Sequence, residues 1–313
     1  MMEIIGKTNI NFLGKRKIAY GISGVLVAFG LFTVLQIGLG NANLGIDFAG
    51  GTSVQMNFQH PVEMEQARRV IVDAGFQDAE LQQFTGTNKL LIRVKRLDTI
   101  EEKAASRIQA VFRAALPDNP FLVDSVTEIG PSIGDRLQKD AALAVLLSFV
   151  GIVMYIAVRF EFRFGVAAAA ATFHDVLVVL GLFALMGKEI NLLLVTALLT
   201  LAGYSLNDTV VVFDRIRENL RRRHKETLEE VINRGINQVL SRTLVTTLTT
   251  LLVLVTLTLW GGEVLHDFAL ALLVGILVGN YSSIFVASSL VLVWRGKGGK
   301  VIAPESEEQP ATP

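Results

Sequence analysis

Six apolar runs of membrane-crossing length constrain this 313-residue chain more than any other feature: 18–37, 141–158, 165–186, 190–213, 244–260 and 268–294. A helix rises about 1.5 Å per residue, so roughly 20 apolar residues cross the ~30 Å hydrocarbon core of a bilayer. With 51% hydrophobic residues and a mean hydropathy of +0.48, the chain is too apolar for a soluble domain of this size. The expected fold is a polytopic α-helical membrane protein with six transmembrane helices. The first run follows Lys15-Arg16-Lys17 like the core of a signal peptide. Its 20 residues and the lack of an A-x-A-like cleavage site predict a retained anchor instead.

Net charge is zero and says nothing about partners, but its distribution does. Four Lys/Arg precede the first run, two lie in 159–164, eight in 214–243 and three follow Trp294, against the single Lys188 in the two short opposite loops. The positive-inside rule then places both termini in the cytoplasm. The segments are a cytoplasmic N-terminus (1–17), helix 1 (18–37), an extracytoplasmic domain (38–140), helices 2–6 (141–294) and a cytoplasmic tail (295–313). The tail, with three glutamates and three prolines from Ala303 onward, is expected to be disordered. Leu228, Val231, Ile232, Ile236, Val239 and Leu240 recur at helical spacing, which predicts an amphipathic helix over about 226–241 lying on the cytoplasmic face.

The external segment reads strand, helix, strand, strand, helix, strand. Thr52-Ser53-Val54-Gln55-Met56-Asn57-Phe58 alternates, 62–74 is helical after Pro61, and 80–84 and 89–95 flank the turn Thr85-Gly86-Thr87-Asn88. Thr99 and Glu102 are placed for a capping box at the head of a helix over 100–116, and 121–129 returns as a strand. This order predicts an α+β ferredoxin-like domain between helices 1 and 2. Ahead of it, Gly45, Asp47, Gly50, Gly51 and Thr52 form either a tight turn or a functional hinge. Gly130-Pro131-Ser132-Ile133-Gly134 breaks the last strand before the chain re-enters the membrane.

There is no cysteine, which excludes disulfides, thiolate metal sites and c-type haem attachment. No P-loop occurs, so neither a nucleotide engine nor any other cofactor, metal site or enzyme activity is expected. The remaining chemistry lies inside the apolar runs. Asn207 and Asp208 sit in the fourth run, where an ionisable group costs roughly 2.5–3.5 kcal/mol at mid-membrane. Arg242, at the start of the next, antiparallel run, falls at similar depth. A carboxylate whose arginine retreats takes up a proton and releases it when the arginine returns. The same pair also reads as a static lock between two helices. His174 and Asp175, near the centre of the third run, form either part of a proton relay or a hydrogen-bonded structural pair. Gly275 and Gly279 make a GxxxG contact face.

Several motifs carry a resemblance. Leu44-Gly45-Ile46-Asp47-Phe48-x-Gly50-Gly51-Thr52, Gly130-Pro131-Ser132-Ile133-Gly134, Arg159-Phe160-Glu161-x-Arg163, His174-Asp175-Val176 and the run from Gly203 to Asn219 that contains Ser205-Leu206-Asn207-Asp208 occur in the order found in the SecF family of bacterial protein-export subunits, which is related to RND transporters. The resemblance covers about residues 38 to 294. It implies a subunit that pairs with SecD and helps the SecYEG channel and the SecA motor, alongside YajC and YidC, to move unfolded polypeptide across the cytoplasmic (inner) membrane using the proton-motive force. Nucleic acid has no place among these partners. The resemblance also implies that Asp208 and Arg242 belong to the proton path, with the main proton-carrying aspartate on SecD. Two other readings are an RND-type exporter of small molecules or lipids and a passive assembly scaffold. One six-span chain with a single external domain is half of such a pump, which argues against the exporter.

Overall fold

The computed structural model describes residues 8–84, 86–95, 104–221 and 226–295, the side chains of 263, 264 and 295 excepted. The elements in chain order are α1 (Arg16–Gly38), a one-turn α2 (Ile46–Ala49), β1 (Gly51–Phe58), α3 (Met64–Asp73), β2 (Glu80–Gln83), β3 (Lys89–Lys95), α4 (Ala104–Ala115) and β4 (Phe121–Ile129). Then come α5 (Pro131–Arg159), α6 (Phe162–Leu185), α7 (Leu192–Arg221), α8 (Leu228–Trp260), α9 (Gly262–Ser282), a π turn (Ser283–Ala287) and α10 (Ser288–Arg295). Six helical stretches are long and apolar enough to cross a membrane: α1 with its short lead-in, α5, α6, α7, α8, and α9 continued through the π turn into α10.

The spans are not equivalent. Two-thirds of the apolar window of α6 is buried inside the protein, against about a tenth of that of α5. The third, fourth and sixth spans therefore form the centre, and α1, α5 and α8 present broad apolar faces outward, such as Ile18, Leu35, Leu147, Val158, Leu248 and Leu252. Small residues allow the close packing. Ala167, Ala168 and Ala171 of α6 are fully buried against Phe164, Phe213 and Ile216.

The α+β domain between the first two spans is the expected ferredoxin-like unit. Its sheet has the order β2-β3-β1-β4 with every neighbour antiparallel. Period-2 burial along β1 puts Val54, Met56 and Phe58 on one face, where they meet Ile92 and Val94 of β3 and Ala67, Ile71, Ile108 and Phe112 of the two helices. The expected capping pair Thr99 and Glu102, the turn residue Thr85, Arg222 and Arg223, and the tail beyond Arg295 lie outside the described residues.

One expectation is corrected. The amphipathic stretch over 226–241 is not a separate helix on the membrane surface. It is the first half of α8, 33 continuous residues, because no glycine or proline between Asn237 and Leu244 interrupts it. Its apolar face is buried against protein: Leu228, Ile232 and Ile236 pack with Leu13, Phe213 and Ile216. A capping box, Thr227 with Glu230, starts the helix. Asn237 grips the backbone of Ile10 through both its N–H and C=O (2.9 Å each), so the N-terminal segment is tied to the same helix.

Candidate functional site

The first place where the chain builds more than packing is the joint between membrane and domain. Gly45 N–H donates to Ile190 O (3.0 Å) and Ile190 N–H donates to Asn43 O (2.8 Å), a short parallel pairing with the loop before α7. Asp47 Oδ2 accepts the Leu192 N–H (3.1 Å), and Asn191 Oδ1 accepts that of Leu194 (2.8 Å), so two side chains cap the head of α7. Gly50 and Gly51 then turn into β1 with φ of +73° and +148°, and a Cβ on Gly51 would lie 2.4 Å from Val94 O. Thr52 is buried at the start of β1, paired with Val94 and Glu128. On the return side, Gly130 precedes Pro131 in the first turn of α5, and Gly134 lets that turn lie against the Phe48 carbonyl.

The second place is a polar centre inside the bundle. Asp175 of α6 is fully buried. Its Oδ1 lies 2.9 Å from His174 Nδ1, and its Oδ2 accepts the hydroxyls of Ser282 (2.8 Å) from α9 and of Ser205 from α7. A second hydroxyl pair, Thr209 with Ser283 (2.8 Å), joins α7 to the π turn. π turns inside α-helices concentrate at functional positions, and this one starts beside the carboxylate. His174 Nε2 is buried without a partner among the described residues. The glycine pair permits the approach: Cβ atoms on Gly275 and Gly279 would meet Leu201 at 2.5 Å and Ser205 Oγ at 3.0 Å. Ser205, read only within the SecF-like motif, and Ser282 were not predicted to be site residues. The available signal was Ser205 one helical turn before Asp208, facing the same side.

Asp208 is 6% exposed and makes no hydrogen bond or ion pair within 4.0 Å among the described residues. Arg242 is the charge whose field reaches it. The expected contact between them is not formed: Arg242 is exposed on α8. Tyr204 Oη with Thr250 Oγ1 (3.0 Å) and Asn219 Nδ2 with Gln238 Oε1 (2.8 Å) set the register of α7 against α8. That register puts Asp208 level with about residue 247, roughly a turn and a half from Arg242. Asn207 is exposed on the outer side of α7, away from Asp175 and Ser205, because adjacent helical residues point about 100° apart. Thus His174 and Asp175 come together with serines of two other spans, Asp208 adjoins them along α7, and Asn207 and Arg242 stay apart.

The joint and the polar spans both fall within regions that family models match. Residues 43–62 match the SecD/SecF GG motif, and residues 110–297 match the family described as protein export membrane protein SecD/SecF, C-terminal. The chain belongs to the SecD/SecF family. It is 52% identical over 295 residues to the protein translocase subunit SecF of Thermodesulfovibrio yellowstonii, covering 94% of this chain and 97% of that one. With the SecF subunit of Vibrio alginolyticus it shares 37% identity over 313 residues, 99% of this chain and 98% of the relative. Its fold matches the crystal structure of SecDF from Thermus thermophilus, a translocon-associated membrane protein, with a TM-score of 0.80 and 38% identity. That match covers 94% of this chain but 40% of the SecDF chain. A super-membrane-facing form of SecDF matches with a TM-score of 0.68. The chain is thus a multi-pass membrane component of a protein translocase, and the SecDF likeness supports SecD as its partner.

Proposed function

We propose that the chain is the SecF-type half of a proton-driven export device in the bacterial cytoplasmic (inner) membrane. Both termini face the cytoplasm and the α+β domain faces outward, a reading supported by the distribution of Lys and Arg. SecD supplies the other half, in keeping with a chain that spans 40% of the SecDF molecule. The pair works beside SecYEG, SecA, YajC and YidC on unfolded polypeptide leaving the channel.

One observation carries this reading. Asp208 is buried in the fourth span with no bonded partner among the described residues, about a turn and a half from an arginine that does not bond to it. A static lock would bond the two. An unbonded carboxyl within a short helix movement of a guanidinium is poised to alternate, charged when Arg242 closes and protonated when it withdraws. His174, Asp175 and Ser205 extend the polar path toward the domain side, and Asn207 is offered to the partner on the open face of α7. Movement of α7 reaches the domain through Asp47, Gly45 and the turn Gly50-Gly51-Thr52, with Gly130, Pro131 and Gly134 as the return joint.

One charge crossing 100 mV supplies ~2.3 kcal/mol, roughly fifty-fold in a driven equilibrium. Asp208→Asn and Arg242→Ala should each cut gradient-driven export from membrane vesicles by a factor on the order of tens, with SecD still co-purifying. Normal export in both variants would leave the chain a passive scaffold.

A further inference from the structure

The loop between α6 and α7 carries a carboxyl group that the export reading does not use. Glu189 is half-buried beneath the β2 edge of the external domain, and its side chain is within hydrogen-bonding reach of Glu80 on that strand. A cleft of about 330 Å³ opens beside the two carboxyls, lined from the domain by Arg68, Gln82 and Arg93 and from the membrane side by Lys188, Asn191 and Asp267. Two acidic groups meet across an interface that unlike charges would ordinarily close.

The cations around them are mostly engaged elsewhere. Lys188 Nζ pairs with Asp267 Oδ1 (2.8 Å), which also faces His266 Nδ1 (3.0 Å), both on α9. Lys95 Nζ on β3 donates to Asn43 Oδ1 (2.7 Å). Arg93 on β3 donates to Gln82 (3.3 Å) and reaches Glu80 only at 4.0 Å. Arg68 projects from α3 at the cleft rim. Two carboxylates left facing each other repel, whereas one shared proton turns the contact into a hydrogen bond.

We propose that Glu80 and Glu189 form a proton-binding site across the joint between the external domain and the membrane bundle, and that the bound proton latches the domain in its docked position. The domain is carried on the Gly50-Gly51 turn, which packs closely on Ile129 and Val94, and on Gly130, where an added Cβ would meet nothing within 4 Å. A tilt about these two points parts β2 from the loop. The site is separate from Asp208, so neither reading depends on the other.

The linkage has a definite sign. Burial first, and then the Glu80 carboxylate, push Glu189 up from 4.5 to about 8, against the lowering effect of Arg93 and Lys95. A tilted domain returns Glu189 to water and to its ordinary range. Docking therefore takes up one proton between about pH 4.5 and 8. The latch is strongest below that window, weakens by up to about tenfold per pH unit through it, and is weakest above it. Acidity on the domain side tightens the joint.

The chain has no cysteine, so two spin labels can be placed cleanly, at Gln77→Cys on the domain and Met186→Cys at the end of α6. Pulsed electron–electron resonance on the full chain in lipid nanodiscs then reads the docked fraction. The expected result is a short distance at pH 5 and a growing long-distance population up to pH 8. Glu189→Gln, neutral at every pH, should stay short throughout. Glu80→Gln should move the transition to lower pH, because burial alone then raises Glu189. A distance distribution unchanged from pH 5 to 9, or a Glu189→Gln curve that follows the parent's, overturns the proposal.

Discussion

Asp175→Leu is expected to leave almost no folded protein in the membrane. The substitution strips the acceptor from the Ser205 and Ser282 hydroxyls and from His174 Nδ1, three groups contributed by α6, α7 and α9. Each buried polar group left unpaired costs about 1–3 kcal/mol. Removing one side of a buried charged contact costs about 3–5 kcal/mol. No solvent reaches Asp175, and Gly279 already brings α9 to van der Waals distance of Ser205, so no water can enter to replace the lost acceptor. Asp175→Asn keeps one acceptor oxygen and a similar shape, and should retain most of the fold. Size-exclusion profiles and thermal midpoints in detergent separate the two. A Leu variant as stable as the Asn variant would mean that the three spans are held by apolar packing alone.

Gly30→Val should be nearly as damaging, by a different route. The α1–α6 crossing is a backbone-to-backbone contact: a Cβ on Gly30 would lie 2.2 Å from Leu177 O, and one on Gly181 would lie 2.6 Å from Gly30 N. Rotamer changes cannot relieve a clash with a carbonyl, so α1 must leave the bundle. Overpacking of a close contact costs typically 1–3 kcal/mol and more where the backbone blocks relaxation. Because α1 exposes most of its surface outward, this crossing and the Tyr281 hydroxyl bonded to Ala19 O (2.8 Å) are main parts of what holds it. Cysteines at Phe29 and Leu182 should cross-link in the parent and fail to do so in Gly30→Val. Gly24→Val, at a position with nothing within 4 Å, is the control expected to behave as the parent.

The spans and the α+β domain were readable because their signals are local. Apolar length gives a membrane helix, and the alternation in β1 and the turn residues give the hairpins. Helix ends were less legible. α5 begins at Pro131, ten residues before its apolar run, since a helix continues through Ser132–Asp140 once water can solvate its side chains. Ile190 opens the fourth apolar run yet lies outside α7, because its backbone pairs with Asn43 and Gly45. The amphipathic segment gave the right face and the wrong surroundings: periodicity marks an apolar stripe without saying whether lipid or protein covers it.

The candidate site was legible in its ionisable members and not in its partners. An Asp or His in an apolar run announces itself by cost. Ser205 and Ser282 do not, because a serine in a membrane helix is cheap and its neighbour belongs to another span. Counting along antiparallel helices put Arg242 near the depth of Asp208, and the observed register sets it about a turn and a half away. Counting could not reveal that Arg242 is exposed on α8 and makes no bond to Asp208. Asn207 adjoins Asp208 in sequence yet points about 100° away from it, a plain consequence of 3.6 residues per turn.

The most direct test of the export reading follows protons rather than cargo. The chain should be reconstituted with SecD in liposomes holding a pH-sensitive dye, and a pH gradient and potential imposed across the membrane. Proton entry in the parent that falls to the protein-free leak in Asp208→Asn and in Arg242→Ala is the predicted result. Entry at the parental rate in both variants, with SecD still bound, would contradict it.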